Sequence, residues 1–158
     1  MSRKVLVTGG AGYIGSHTIV ELSNAGYEPV ILDDFRNSQE SVLNGLYEIL
    51  GKQPELIRCD VCNTDVVRDY ILANEVCGII HFAAYKAVGE SVEKPLNYYQ
   101  NNVQGLVSVL KVLAEHPEIS FVFSSSCTVY GDPKGQKEVS EKTPKTIPTS
   151  PYGYTKWL

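Results

Sequence analysis

The apolar run Val5-Leu6-Val7 breaks directly into Gly9, Gly12 and Gly15, spaced G-x-x-G-x-x-G, and a helical pattern follows at once. No other feature restricts the fold as much. A buried strand that turns straight into a helix sets the helix's positive end beside the strand's carboxyl end. Glycines there let the turn be tight and let backbone N–H groups approach an anion. In a strand–turn–helix context the spacing predicts a pyrophosphate cradle. A plain glycine-rich turn is the alternative reading.

The rest of the chain repeats the alternation. Val5–Val7, Val30–Leu32, Leu56–Ile57, Gly78–His81 and Phe121–Ser124 are short and β-rich, as strands buried on both faces are. Helical patterns lie near 14–25, 40–50, 64–74 and 95–116. The last is the clearest, with Pro95 at its first position and Leu96, Tyr99, Val103, Leu106, Val107, Leu110 and Leu113 at helical spacing. Alternating strands and helices predict an α/β fold, a doubly wound parallel sheet in the order 3-2-1-4-5. The irregular stretch 131–150 is expected to be a functional or disordered loop. A further helix starts near Pro151.

At 158 residues the chain reads as one domain, 1–158, with a real core. Its net charge of −4 offers no reason to bind nucleic acid or an anionic membrane. No stretch approaches the ~20 apolar residues of a bilayer span. The first strand starts too early for a signal peptide, and the four cysteines (Cys59, Cys62, Cys77, Cys127) then read as cytoplasmic thiols. Cys59-x-x-Cys62 lacks the second close pair that zinc wants, so no metal is expected.

Ligands of such sheets bind at the carboxyl ends of the strands. Asp33 ends strand two, where a carboxylate bonds ribose hydroxyls and repels a 2′-phosphate, which favours NAD over NADP; Arg36 leaves a small opening for NADP. A solvated strand-end acid is the plain alternative. Asn37 and Ser38 are candidates for the adenosine, with helix capping an equal reading of Ser38. Asp60 and Val61 follow strand three, where an acceptor suits the adenine amino group or a simple turn. Phe82, Ala83 and Lys86 follow strand four, beside the expected nicotinamide. Asn101 lies one turn or so into the long helix.

Tyr152 and Lys156 are four apart, on one face of a helix. A free phenol titrates near 10 and is a poor base at neutral pH. A nearby ammonium favours the phenolate, which can take a proton from a hydroxyl as hydride leaves the same carbon. Ser124, Ser125 and Ser126 follow strand five. A hydroxyl there can bond the reacting oxygen, and Ser126 is favoured; at least one of the three is expected to be only a turn serine.

Taken together, VTGGAGYIGSHT, ILDD with the following NS, IIHFAAYKAVGES, YYQNNVQG, FVFSSSCTVYGD and SPYGYTK resemble the extended short-chain dehydrogenase/reductases, and within them the UDP-glucose 4-epimerase branch. The likeness runs through essentially the whole chain. It implies a Rossmann domain with bound NAD and a UDP-glucose or UDP-galactose substrate, epimerised reversibly at C4 through a 4-keto sugar. Tyr152 would be the base, Lys156 its electrostatic partner and Ser126 the hydrogen-bonding hydroxyl. Gly9, Gly12, Tyr13, Ile14, Gly15, Asp33, Asp34, Asn37, Ser38, Asp60, Val61, Phe82, Ala83, Lys86, Asn101, Ser124, Tyr152 and Lys156 would touch the cofactor. Departures are Asp34 for the usual asparagine, Ala84-Tyr85 for Gly-Leu, and Cys127 for alanine. Related dehydratases carry an acidic pair after the strand-five serines, whereas Cys127-Thr128-Val129 has no carboxylate.

Complete members continue for about as many residues again, so the resemblance implies missing final strands and no substrate lobe. The expectations are a chain inactive alone, Tyr152 and Lys156 poorly held on a helix of about eight residues unless another chain packs on them, an exposed edge at strand five, and a homodimer for complete members that this stretch does not secure. A non-catalytic NAD-binding or regulatory module, and an epimerase of another sugar nucleotide such as UDP-glucuronate, are the other readings.

Overall fold

The computed structural model describes residues 3–132 and 138–158, so the part of the irregular stretch at 133–137 lies outside the described residues. The chain divides into two compact units. Unit 1 comprises residues 1–83 and 105–124, and unit 2 residues 84–104 and 125–158.

Unit 1 is a parallel sheet of β1 (Lys4–Thr8), β2 (Glu28–Asp33), β3 (Glu55–Arg58), β4 (Val76–His81) and β5 (Ser120–Phe123) in the order β3-β2-β1-β4-β5. This is the expected doubly wound order. Its helices are α1 (Tyr13–Asn24), α2 (Ser41–Leu50) and α3 (Thr64–Ala73), together with most of α6 (Gln104–Glu115). Period-two alternation explains why the strands sit with both faces covered. Val5, Val7 and Ile31 point into one cluster with Ile19 of α1 and Leu43 and Leu46 of α2. Leu6, Val30, Leu32 and Ile79 point into the other, with Val67 and Ile71 of α3 and Val109 and Val112 of α6. Among the described residues β5 pairs with β4 alone, and Val122 is exposed.

Unit 2 carries α4 (Val88–Glu93), α5 (Pro95–Tyr98), a π-helical turn (Tyr99–Val103), a 3₁₀ turn (Cys127–Tyr130) and α7 (Pro151–Lys156). The single helix expected over 95–116 is therefore helical to Glu115 but divided into α5, the π turn and α6. The polar pair Asn101-Asn102 falls in the wide turn, and Asn102 is buried there. Among the described residues of 131–150 there is no helix or strand beyond a turn that begins at Glu141. No described helix is long and apolar enough to cross a membrane.

Candidate functional site

In unit 1 the turn after β1 is shaped by what its glycines lack. Gly9 has φ +70°, and a Cβ on it would stand 2.7 Å from the Ala83 amide nitrogen. A Cβ on Gly15 would stand 2.2 Å from the Gly9 carbonyl oxygen. Neither position admits a side chain, so the backbone closes on itself and α1 begins with no side chain at its cap. Tyr13 and Ile14 are exposed over its first turn. An uncapped helix start with open N–H groups can hold an anion such as a pyrophosphate.

The acid at the end of β2 is tied into this turn. Asp33 Oδ2 accepts the Ala11 amide at 3.0 Å, and Oδ1 accepts the Phe35 amide and the Ser38 hydroxyl, both at 2.9 Å. A carboxylate has about four acceptor sites, so roughly one is left for a sugar hydroxyl. Ser38 therefore orients Asp33 and does not cap α2, whose N-cap is Glu40 without a side-chain bond. Phe35 has φ +62°, an uncommon conformation for a bulky residue. The Asp33 bond to its amide and the Arg58 guanidinium, 4.5 Å above its ring, accompany that strain. Asn37 is exposed beside it.

Arg36 is committed to two carboxylates, Asp34 at 2.5 Å and Asp60. It is thus held by acids rather than left free for a 2′-phosphate. Asp60 also accepts the Cys62 amide at 2.8 Å, as a turn aspartate does. Burial pushes the Asp60 carboxyl up, but the Cys62 amide and Arg36 together hold it below its ordinary value. The Cys62 thiol is pushed up to about 11, by burial first and then by Asp60. Val61 is buried in the core, while Phe82 and Ala83 are half-buried and their amides donate to the Thr8 carbonyl and hydroxyl. The Ser124 amide donates to the His81 carbonyl at 3.2 Å.

Unit 2 holds the Tyr/Lys pair. Ser150 caps α7 by accepting the Gly153 amide at 3.1 Å, and Pro151 takes the first turn. The helix has six residues, yet Tyr152 is 9% and Lys156 5% exposed. The expectation that both would be poorly held is not what unit 2 contains. Its reason is side-chain bonding from elsewhere in the unit. Asn102 Nδ2 donates to the Thr155 hydroxyl at 2.9 Å, and that hydroxyl donates to the Tyr152 carbonyl at 2.8 Å. The buried Tyr98 ring meets the Tyr152 ring edge-on at 6.5 Å, and its own hydroxyl donates to Glu90 at 2.9 Å. Burial, then Glu90, pushes the Tyr98 phenol up to about 12, so it stays neutral beside Tyr152. Burial lowers the Lys156 amine to about 8.

The serines make different bonds. Ser125 donates to the Lys156 carbonyl at 3.2 Å, a structural bond. Ser126 Oγ accepts the Thr128 amide at 3.3 Å and the Thr128 hydroxyl at 3.0 Å, which leaves its own O–H to donate. Lys86 is exposed, and half-buried Asn101 donates to Asn102 at 3.0 Å. Asn102, Thr155 and Tyr98 were missed by sequence reasoning. Asn102 neighbours a residue that was chosen, and nothing in spacing alone separates the two.

Residues 5–158 match the NAD dependent epimerase/dehydratase family. The chain is 47% identical over 154 residues to the UDP-glucose 4-epimerase of Yersinia pestis, covering 98% of this chain and 45% of that one. The UDP-glucose 4-epimerase of Bifidobacterium longum, solved with NAD+ and UDP, is similar at a TM-score of 0.92 and 42% identity, over 97% of this chain and 45% of that one. The enzyme from Stenotrophomonas maltophila, solved with NAD and formylated UDP-arabinopyranose, is similar at 0.91 and 38% identity, over 98% and 45%. The chain thus spans about half the length of the relatives it matches. With the glycine cradle, the strand-two acid and the buried Tyr/Lys helix in place, it belongs to the NAD dependent epimerase/dehydratase family.

Proposed function

We propose that residues 1–158 form the dinucleotide-binding portion of a cytoplasmic UDP-glucose 4-epimerase and carry its proton-transfer couple. The observation that carries this reading is the burial of Tyr152 and Lys156 on one face of a capped helix. A chance pair at that spacing sits on a solvated surface. Burying an ammonium is costly, and its amine titrates near 8 here, so it is charged over most of the neutral range.

The residues present fit NAD. The backbone amides of Tyr13, Ile14 and Gly15 at the uncapped start of α1 would hold its pyrophosphate, Asp33 a ribose hydroxyl, and Asp60 the adenine amino group. When bound, NAD supplies the acceptor and donor of hydride. The chain's own residues manage the proton. Tyr152 as phenolate takes it from the sugar O4 hydroxyl and later returns it. Lys156 lowers the cost of that phenolate by its charge, and the Ser126 hydroxyl bonds the reacting oxygen. Epimerisation needs no carboxylate after β5, which agrees with Cys127-Thr128-Val129. UDP-glucose and UDP-galactose are the proposed substrates.

A coupled assay from UDP-galactose to UDP-glucose tests this, run on the 158-residue chain and on the chain with its natural continuation. Turnover in the longer form is the expected result. NAD binding without turnover in either form would overturn it and leave a non-catalytic nucleotide module.

A further inference from the structure

Asn102 uses all of its hydrogen-bonding capacity inside unit 2. Its Oδ1 accepts the Tyr85 amide at 2.8 Å and the Asn101 amide group at 3.0 Å. Its Nδ2 donates to the Tyr85 carbonyl and to the Thr155 hydroxyl, both at 2.9 Å. The orientation of the carboxamide follows from its partners, because the Tyr85 amide needs an acceptor and the Tyr85 carbonyl a donor. Thr155 has one hydroxyl proton and gives it to the Tyr152 carbonyl at 2.8 Å, so its oxygen can only accept from Asn102. Asn102 and Thr155 are 3% and 1% exposed, so water does not compete for these bonds.

The two residues that Asn102 grips are each the immediate neighbour of a lysine. Tyr85 precedes Lys86, and Thr155 precedes Lys156. Tyr85 also stands where the family usually has leucine, and its ring lies 5.6 Å from that of Tyr98, which in turn meets Tyr152. The π turn is what carries Asn102 at this point of the helical run, and such turns are frequent at functional sites.

We infer that Asn102 is the positioning residue of the Tyr152/Lys156 couple: its carboxamide locks α7 through Thr155 and locks the Lys86 segment through the Tyr85 backbone. It acts through Tyr85 and Thr155, its partners in the structure. The Asn102–Thr155–Tyr152 chain of hydrogen bonds ends on the backbone carbonyl of the phenol's own residue, so a side-chain lock sets where the phenol lies. This rests on the epimerase reading, and it adds a requirement that reading does not make.

The test uses the chain with its natural continuation and the variants Asn102→Ala, Thr155→Val, Thr155→Ser and the double Asn102→Ala/Thr155→Val. Each of the first two is expected to lower kcat about 10- to 100-fold, with KM for UDP-galactose within about threefold. The double variant should be no slower than the worse single variant, because both cut one link. Thr155→Ser keeps the hydroxyl and should stay within about threefold of wild type. Unchanged kcat with only a lowered melting temperature, multiplying losses in the double variant, or a serine as poor as the valine would overturn the lock. Thr155→Val is nearly isosteric, so the question survives if Asn102→Ala does not fold. Tyr152→Phe is the control for the underlying reading. If it turns over at the wild-type rate, the epimerase reading falls, and the lock is then judged on the Lys156 Cε NMR titration, assigned with Lys156→Arg. The midpoint, near 8 in wild type, should rise by about one pH unit in Thr155→Val as water enters. An unmoved midpoint overturns the lock.

Discussion

The glycine turn of unit 1 and the Tyr152 helix of unit 2 are built on opposite principles. The turn works by lacking side chains: at Gly9 and Gly15 backbone occupies the space a Cβ would fill. Every constraint in it comes from contiguous residues or from the strands on either side of β1. Helix α7 works by gathering side chains. Its six residues are capped by Ser150, pinned by Asn102 from 53 positions away, and faced by the Tyr98 ring. An anion cradle is thus a local property of backbone geometry. The burial of the Tyr152/Lys156 pair is a property of what distant segments press against it.

Four substitutions break or sharpen that contrast. The largest effect is expected from Tyr152→Phe, which removes the proposed proton carrier and keeps the ring against Tyr98. Turnover of UDP-galactose by the chain with its natural continuation should fall about 10²- to 10⁴-fold, with NAD binding kept. Next is Gly15→Ala. The new methyl would meet the Gly9 carbonyl at 2.2 Å, with backbone on both sides and no room to yield. Urea unfolding should show a loss of about 3 kcal/mol, the upper end for overpacking, and NAD binding should be lost with it.

Lys156→Met separates the couple's chemistry from its packing. The folded amine titrates near 8, below its ordinary 10.5, because burial penalises the charge. The unfolded chain therefore binds more protons between those values, and wild-type stability rises as pH goes from about 8 to about 10.5. At pH 7 the variant should be more stable than wild type by about 2–3 kcal/mol in urea unfolding, and the gain should vanish above about pH 10.5. A variant less stable at pH 7 would show that the ammonium is welcomed, not tolerated, where it lies. The smallest effect is the counter-case to Gly15. Gly45 lies inside α2 with nothing within 4 Å of where a Cβ would stand. Gly45→Ala should therefore stabilise by about 0.5–1 kcal/mol, measured the same way.

The parts legible in the sequence were those set by short-range pattern. Alternation in Val5-Leu6-Val7 and Val30-Ile31-Leu32 places side chains on two faces, and both faces are indeed packed. Right-handed βαβ connections, together with the reading of the glycine turn as a dinucleotide fold, then give the order β3-β2-β1-β4-β5. The break of the 95–116 helix at Tyr99–Val103 was not legible, because leucine and valine spacing counts apolar positions and is blind to a buried asparagine. Nor was the commitment of Arg36 to Asp34 and Asp60, whose partner lies 24 residues on, across β3. Ser38 illustrates the limit in one residue. Its position before α2 allowed capping, but the Asp33 carboxylate lies closer to hand and accepts its hydroxyl.

From residue order alone came the sheet, the glycine turn after β1, the acid at the end of β2 and the candidate Tyr152/Lys156 pair, because each depends on spacing along a few residues. Only the tertiary structure decided that the couple is buried, that Lys156 titrates near 8, that Tyr98 stays neutral beside Tyr152, and that Asn102 rather than Asn101 grips α7. Those properties depend on solvent exclusion and on hydrogen bonds between segments far apart in the chain, and no pattern along the chain encodes which distant group arrives.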